Sequence, residues 1–212
     1  MPFKSWTVGE ILTAADLNSY LMSQVIIRCT SGTRPASPAQ GWHIYETDTS
    51  KFLVYTGSAW VPEGSQRRQK TKSADETVNN STAVQDDDHL FLSVDANTNY
   101  LVEALIVYNS NSTADFQMGW SGPSGATFTW ASGGMDTTVS GSLGSIDLKS
   151  RDIATTADSG GWNFSDLIVR PAGRLAVGAT AGTFRFRWAQ NTANASNTIV
   201  RSGSVLMLTT LV

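Results

Sequence analysis

The chain has 212 residues, 41% of them hydrophobic and only 16% charged, with a formal net charge of −3. That balance excludes the broad basic field a nucleic-acid backbone requires, and it disfavours long solvated helices, whose outer faces draw on Glu, Lys and Arg. A lone cysteine, Cys29, excludes an intrachain disulfide, and no apolar run approaches the roughly 20 residues of a membrane span.

Residues 1–25 open with an apolar arm of Phe3, Trp6, Val8, Ile11 and Leu12. Lys4 and Glu10 interrupt it, so it does not read as a signal peptide, and assembly in a cytoplasm is expected. Thr13-Ala14-Ala15-Asp16 fits a capping box, a hydroxyl at the N-cap and an acid three residues on. Leu17, Tyr20 and Leu21 then fall on one face at helical spacing. The predicted helix has about three turns and is marginal alone. The arm and helix either tuck onto their own chain or anchor it to a partner.

Residues 26–62 read as a small β-unit. Val25 to Thr30 is a β-branched run, and Ser31 to Gln40 is a loop punctuated by Gly32, Pro35 and Pro38. Trp42–Tyr45 and Lys51–Tyr55 flank a short polar turn, which predicts a hairpin. Residues 63–73 hold four basic residues, one acid and no large apolar side chain. They read as a linker, or as an edge strand beginning near Lys70.

Residues 74–212 form the main domain. Its predicted strands are His89–Val94, Tyr100–Tyr108, Phe116–Trp120, Thr127–Trp130, Met135–Val139, Phe164–Arg170, Arg174–Gly178, Thr183–Gln190 and Val205–Leu211. Phe184-Arg185-Phe186-Arg187-Trp188 alternates apolar inward with arginine outward. Short strands, turns rich in Gly, Ser, Asn and Asp, and no helix predict a mainly β protein: a short N-terminal helix and hairpin unit, then an antiparallel β-sandwich of jelly-roll type.

Catalytic chemistry is not visible. His43 and His89 lie in or at the start of strands and read as structural. Cys29 reads as a buried, inert thiol. No nucleophile elbow, zinc spacing or phosphate-cradling loop occurs. The expectation is a protein without catalytic residues or cofactor. Asp86, Asp87 and Asp88 are the one carboxylate cluster. They are weak candidates for calcium, since successive residues of an extended chain point apart, and a solvated acidic turn is the plainer reading. Trp162, after Gly160-Gly161, is the best candidate for an exposed aromatic that could stack on a sugar ring. The other tryptophans, Trp188 above all, read as core.

Two stretches resemble virion proteins of phages that infect actinobacteria. Trp6 to Asn18, followed by Arg34-Pro35 and the pattern Gly41…Tyr45-Glu46-Thr47-Asp48…Tyr55…Gly57…Trp60, is similar to the N-terminal attachment module of many phage minor tail and fibre proteins. Ala74 to Val78, Asp86-Asp87-Asp88 and Arg187-Trp188-Ala189-Gln190-Asn191 resemble the C-terminal domain of minor tail or virion proteins. The resemblance implies attachment to the particle through the N-terminus, and the apolar character of the arm points to Trp6, Leu12, Leu17 and Leu21 as the residues buried against the partner. The resemblance also implies a homotrimer, other phage tail or capsid proteins as partners, and a place on the virion surface. A host-glycan receptor module, a capsid decoration and, more remotely, a glycan hydrolase are the alternatives. Neither nucleic acid nor membrane insertion is expected.

Overall fold

The computed structural model describes residues 7–16, 26–63, 67–135, 146–162 and 165–211. The chain divides into two compact units, residues 1–65 and 66–212. Each is described by itself.

In the first unit, the capping box closes as its residues predict. The Asp16 N–H donates to Thr13 Oγ1 at 3.2 Å, and the Thr13 N–H donates to Asp16 Oδ2 at 3.3 Å. The helix is described from Ala14 to Asp16 only, and Leu17, Tyr20 and Leu21, like Trp6, lie outside the described residues. Four strands follow: β1 (Ile27–Cys29), β2 (His43–Glu46), β3 (Lys51–Tyr55) and β4 (Trp60–Pro62). They lie in that order in one sheet, with β1 parallel to β2 and the other pairs antiparallel. Ile44 and Leu53 face each other in register and are buried. The loop before β2 is tied to it by polar contacts. Arg34 pairs with the buried Glu46, whose carboxyl that hydrogen bond holds below its ordinary pKa. Cys29 is half-buried, and burial pushes its thiol pKa up.

The second unit contains fourteen strands among the described residues. They are β5 (Arg67–Thr71), β6 (Glu76–Val78), β7 (Gln85–Val94), β8 (Asn99–Asn109), β9 (Phe116–Ser121), β10 (Thr127–Ala131), β11 (Gly134–Met135), β12 (Ile146–Asp147), β13 (Ala157–Ser159), β14 (Asp166–Val169), β15 (Ala172–Ala176), β16 (Gly182–Gln190), β17 (Thr198–Val200) and β18 (Val205–Leu211). The predicted strands Met135–Val139 and Phe164–Arg170 fall partly outside the described residues. The short strands β5, β6, β13 and β17 carry too few apolar residues to signal themselves.

Two antiparallel sheets face each other. The smaller runs β13-β9-β16-β7. The larger is built on the long strand β8. Its first half pairs with β15 and β18, and its second half with β14 and β17. β14 and β15 are separated only by Arg170-Pro171. That break is where a proline, lacking an N–H, is expected. The inner face of β8 presents Tyr100, Val102, Ala104, Ile106 and Tyr108, all buried. Facing them are Phe116, Met118 and Trp120 of β9 and Phe184, Phe186 and Trp188 of β16. The arginines between the last three point outward, as the alternation predicts. This is a β-sandwich, the expected fold class.

Of the two readings of residues 63–73, the edge strand is the one found from Arg67 onward, starting three residues before Lys70. Arg67 to Thr71 pair with Thr209 to Val205, so β18 is a central strand with β8 on one side and β5 on the other. The terminal apolar run is thereby covered on both edges. The segment looked like a linker because its side chains are polar. Read at a period of two, however, Arg68, Lys70 and Lys72 share one side and close the sandwich against β7. Arg68 donates to Ser93 O at 2.7 Å, Lys70 Nζ stands 5.8 Å from the Phe91 ring centroid, and Lys72 reaches Asp87.

Candidate functional site

The acidic run Asp86-Asp87-Asp88 is neither a turn nor solvated throughout, which corrects the plainer expectation. It lies in β7, beside an irregularity in the pairing with β16 between Arg185 and Arg187. Asp86 points outward and pairs with both arginines, at 3.4 and 2.8 Å. Asp87 points inward and is fully buried. Its Oδ1 accepts the N–H groups of His89 and Leu90 at 2.9 and 2.8 Å, closing the bulge it belongs to, and its Oδ2 accepts the Trp188 indole N–H at 3.2 Å. Asp88 is exposed. The three carboxylates do not converge, so they form no calcium site together.

A different trio does converge. Glu76, Asp87 and His89 bring ligand atoms within 4.8 Å of one another. The centre of that group is held by the chain itself. The Lys72 ammonium, also fully buried, donates to Glu76 Oε2 and Asp87 Oδ2 at 2.7 Å each and lies 3.3 Å from His89 Nδ1. The other Glu76 oxygen accepts Gln85 Nε2 at 2.9 Å. A buried charge persists only when it is paired and hydrogen-bonded, and here both conditions are met. Lysine supplies the cation at this point, and the arrangement is structural. Sequence reading missed it because Lys72 sat in the supposed linker.

Trp162 is 53% exposed, as expected of it. Its backbone is held down: Trp162 N donates to Ser110 O at 3.0 Å and Gly161 N to Asp115 Oδ1 at 2.7 Å. A Cβ built on Gly161 would stand 2.1 Å from Asn111 O, so glycine is required there. Asp115 itself is a non-glycine residue at φ 51°. Burial raises the carboxyl pKa values of Asp115 and of Asp158 on the neighbouring β13. The result is an exposed indole on a fixed turn, close in sequence and hydrogen bonding to two half-sheltered acids.

Tyr108 anchors this turn from within. Its hydroxyl donates to Gly160 O at 2.5 Å, lies 2.9 Å from Ser159 Oγ, and its ring stacks on Phe116 with centroids 4.4 Å apart. Burial pushes its pKa up to about 12 from an ordinary 10. A raised pKa means the stabilisation is complete below the unfolded value and lost as pH climbs through the folded one. Stability should therefore fall between pH 10 and 12 by on the order of 3 kcal/mol. In Tyr108→Phe this alkaline loss should shrink to that of the remaining tyrosines and lysines. Urea midpoints from pH 9 to 12 for both proteins test it, and parallel curves would refute the assignment.

Two packed antiparallel sheets with an apolar filling place the second unit among β-sandwich proteins. No protein-family model matches the sequence, and no curated protein is similar to it. Solved structures that align with it include infectious bursal disease virus, strain Gt, at 11% identity over 82% of this chain and 39% of that one, with a TM-score of 0.36. The tripod from the baseplate of bacteriophage Tuc2009 aligns at 12% identity over 98% of both chains, with a TM-score of 0.32. The VP2 subviral particle of infectious bursal disease virus aligns at 10% identity over 84% of this chain and 50% of that one, with a TM-score of 0.26. The chain spans about two fifths of the length of the first of these. All three alignments have low identity and low TM-scores, and the fold assignment rests on the strands themselves.

Proposed function

We propose that this chain is a structural component of a bacteriophage virion, a minor tail protein of fibre or spike type. It attaches through its N-terminal arm and displays the sandwich, with no catalytic role. The observation that carries the reading is the arm itself. Val8, Ile11 and Leu12 are exposed, Ile11 at 83%, ahead of a small four-stranded unit. Apolar residues left in water support a surface for a partner. The three lie in the stretch that resembles a phage attachment module. Self-assembly, as a homotrimer in the fibre-type reading, belongs to the same proposal. Light scattering should then give three times 22.8 kDa.

The test uses particles. Phage complemented with full-length protein should carry it. Removing residues 1–25, or placing aspartate at both Ile11 and Leu12, should lower the copies per particle at least tenfold while the protein stays soluble in the lysate. Normal incorporation of either variant would refute attachment through the arm. Labelling of the incorporated protein then distinguishes tail from capsid decoration. A second reading, a receptor module that holds host-surface glycan, is favoured by the exposed Trp162. Loss of cell binding in Trp162→Ala, with incorporation intact, would support it.

A further inference from the structure

The two outer faces of the sandwich differ in kind. That of the smaller sheet is polar and satisfied internally. Asp86 bridges Arg185 and Arg187, and Arg185 lies over the Phe91 ring at 4.6 Å, covering the aromatic residue on that face. The larger sheet exposes more apolar side chains. Register places Glu103 of β8 between Ala172 of β15 and Met207 of β18, and one row along, Leu101 between Arg174 and Thr209. Further along β8, Val107 lies beside Ile168 of β14, which is 54% exposed. Leu101 and Leu211 are exposed at 39% and 41%. A groove of about 300 Å³ crosses this face, lined by Glu103, Leu105, Arg170, Pro171, Ala172 and Met207.

Glu103 and Arg170 line the same groove, yet among the described residues neither side chain has a hydrogen-bond or ion-pair partner. An acid on a mixed apolar and polar sheet face, with the Arg170 cation at the groove wall, is a self-complementary pattern. Set side by side around a rotation axis, such patches place each copy's acid opposite the next copy's arginine and bury the leucines between them. A nucleic acid would not tolerate the central carboxylate.

We propose that the outer face of the larger sheet is where copies of this chain meet, Glu103 of one copy lying against Arg170 of the other. The proposal deepens the self-assembly in the reading above but fails separately from it. The face is judged on the mass of the purified protein, and the virion role on location in the particle.

Sedimentation of the full chain at about 0.1 M salt tests it. Wild type should exceed 22.8 kDa at micromolar concentration. Glu103→Arg and Arg170→Glu should each weaken association at least tenfold, by setting like charges opposed. The double variant E103R/R170E should recover to within about threefold of wild type, because the pair is restored with its signs exchanged. All three variants change solvent-facing side chains, and unchanged near-ultraviolet circular dichroism confirms that each is folded. A monomeric wild type, a single variant that assembles normally, or a double variant no better than the singles would each overturn the proposal.

Discussion

Lys72→Met should destabilise the protein by about 3–5 kcal/mol, although methionine is only one atom shorter than lysine and the site is buried. The cause is what remains behind. Asp87 would keep the Trp188 indole and two backbone N–H groups, and Glu76 would keep Gln85, but two carboxylates would share a buried end of the sandwich without a cation. Neutralising Glu76 as well, in K72M/E76Q, should recover more than half of the loss, because one of the two unpaired charges is gone and a flipped Gln85 amide can accept from the new one while Asp88 N–H still donates to its oxygen. Urea unfolding of the three proteins decides the matter. If K72M lies within 1 kcal/mol of wild type, the ammonium is not what holds the two acids together.

The second large effect is expected at Phe186. Its ring is fully buried at the middle of β16, with Trp120 at 5.2 Å and Phe116 at 6.5 Å between centroids. Phe186→Ala should cost about 3–5 kcal/mol, since the surrounding rings belong to two stiff sheets and cannot close the void. In a domain of this size that lowers the melting temperature by about 10 °C or more. The adjacent Arg187→Ala removes an ion pair to Asp86 whose arginine side chain is 38% exposed, and should cost less than about 1 kcal/mol. Calorimetry on both variants checks the contrast. Equal shifts would mean that the inward and outward sides of β16 have been misassigned.

That contrast also shows which parts of the fold were legible in the residues. Phe184 to Trp188 announces a strand and both of its faces, because the apolar side is large and the polar side is uniformly arginine. The capping box of Thr13 and Asp16 is local and was legible for the same reason. β5 was not. Its alternation is basic against polar, so the hydrophobic signal that marks a strand is absent, the sequence leaves linker and edge strand open, and its pairing with Val205 to Thr209 decides between them. Asp87 illustrates a further limit. Whether an acid in a strand points in or out depends on a bulge, and a bulge is set by the partner strand. Trp162 was found through the glycine pair before it, although the reason for Gly161, the nearby carbonyl of Asn111, is visible only in three dimensions. The unpaired Glu103 had no signal at all in sequence, being one acid in an otherwise hydrophobic strand.

The central place of β18 bears on how the protein is made. Val205 lies against Leu105 on one side and Thr71 on the other, so the middle of the larger sheet is assembled from segments far apart in the chain. Contacts of such sequence separation are slow to form, on the millisecond-to-second scale for sheet proteins of this kind. Synthesis delivers β5 and β8 well before the strand that joins them. In that interval each presents an open ladder of N–H and C=O groups, the kind of edge that draws in strands from neighbouring chains. Crowding many copies on one polysome therefore works against this sheet, and its yield should depend on how quickly β18 follows.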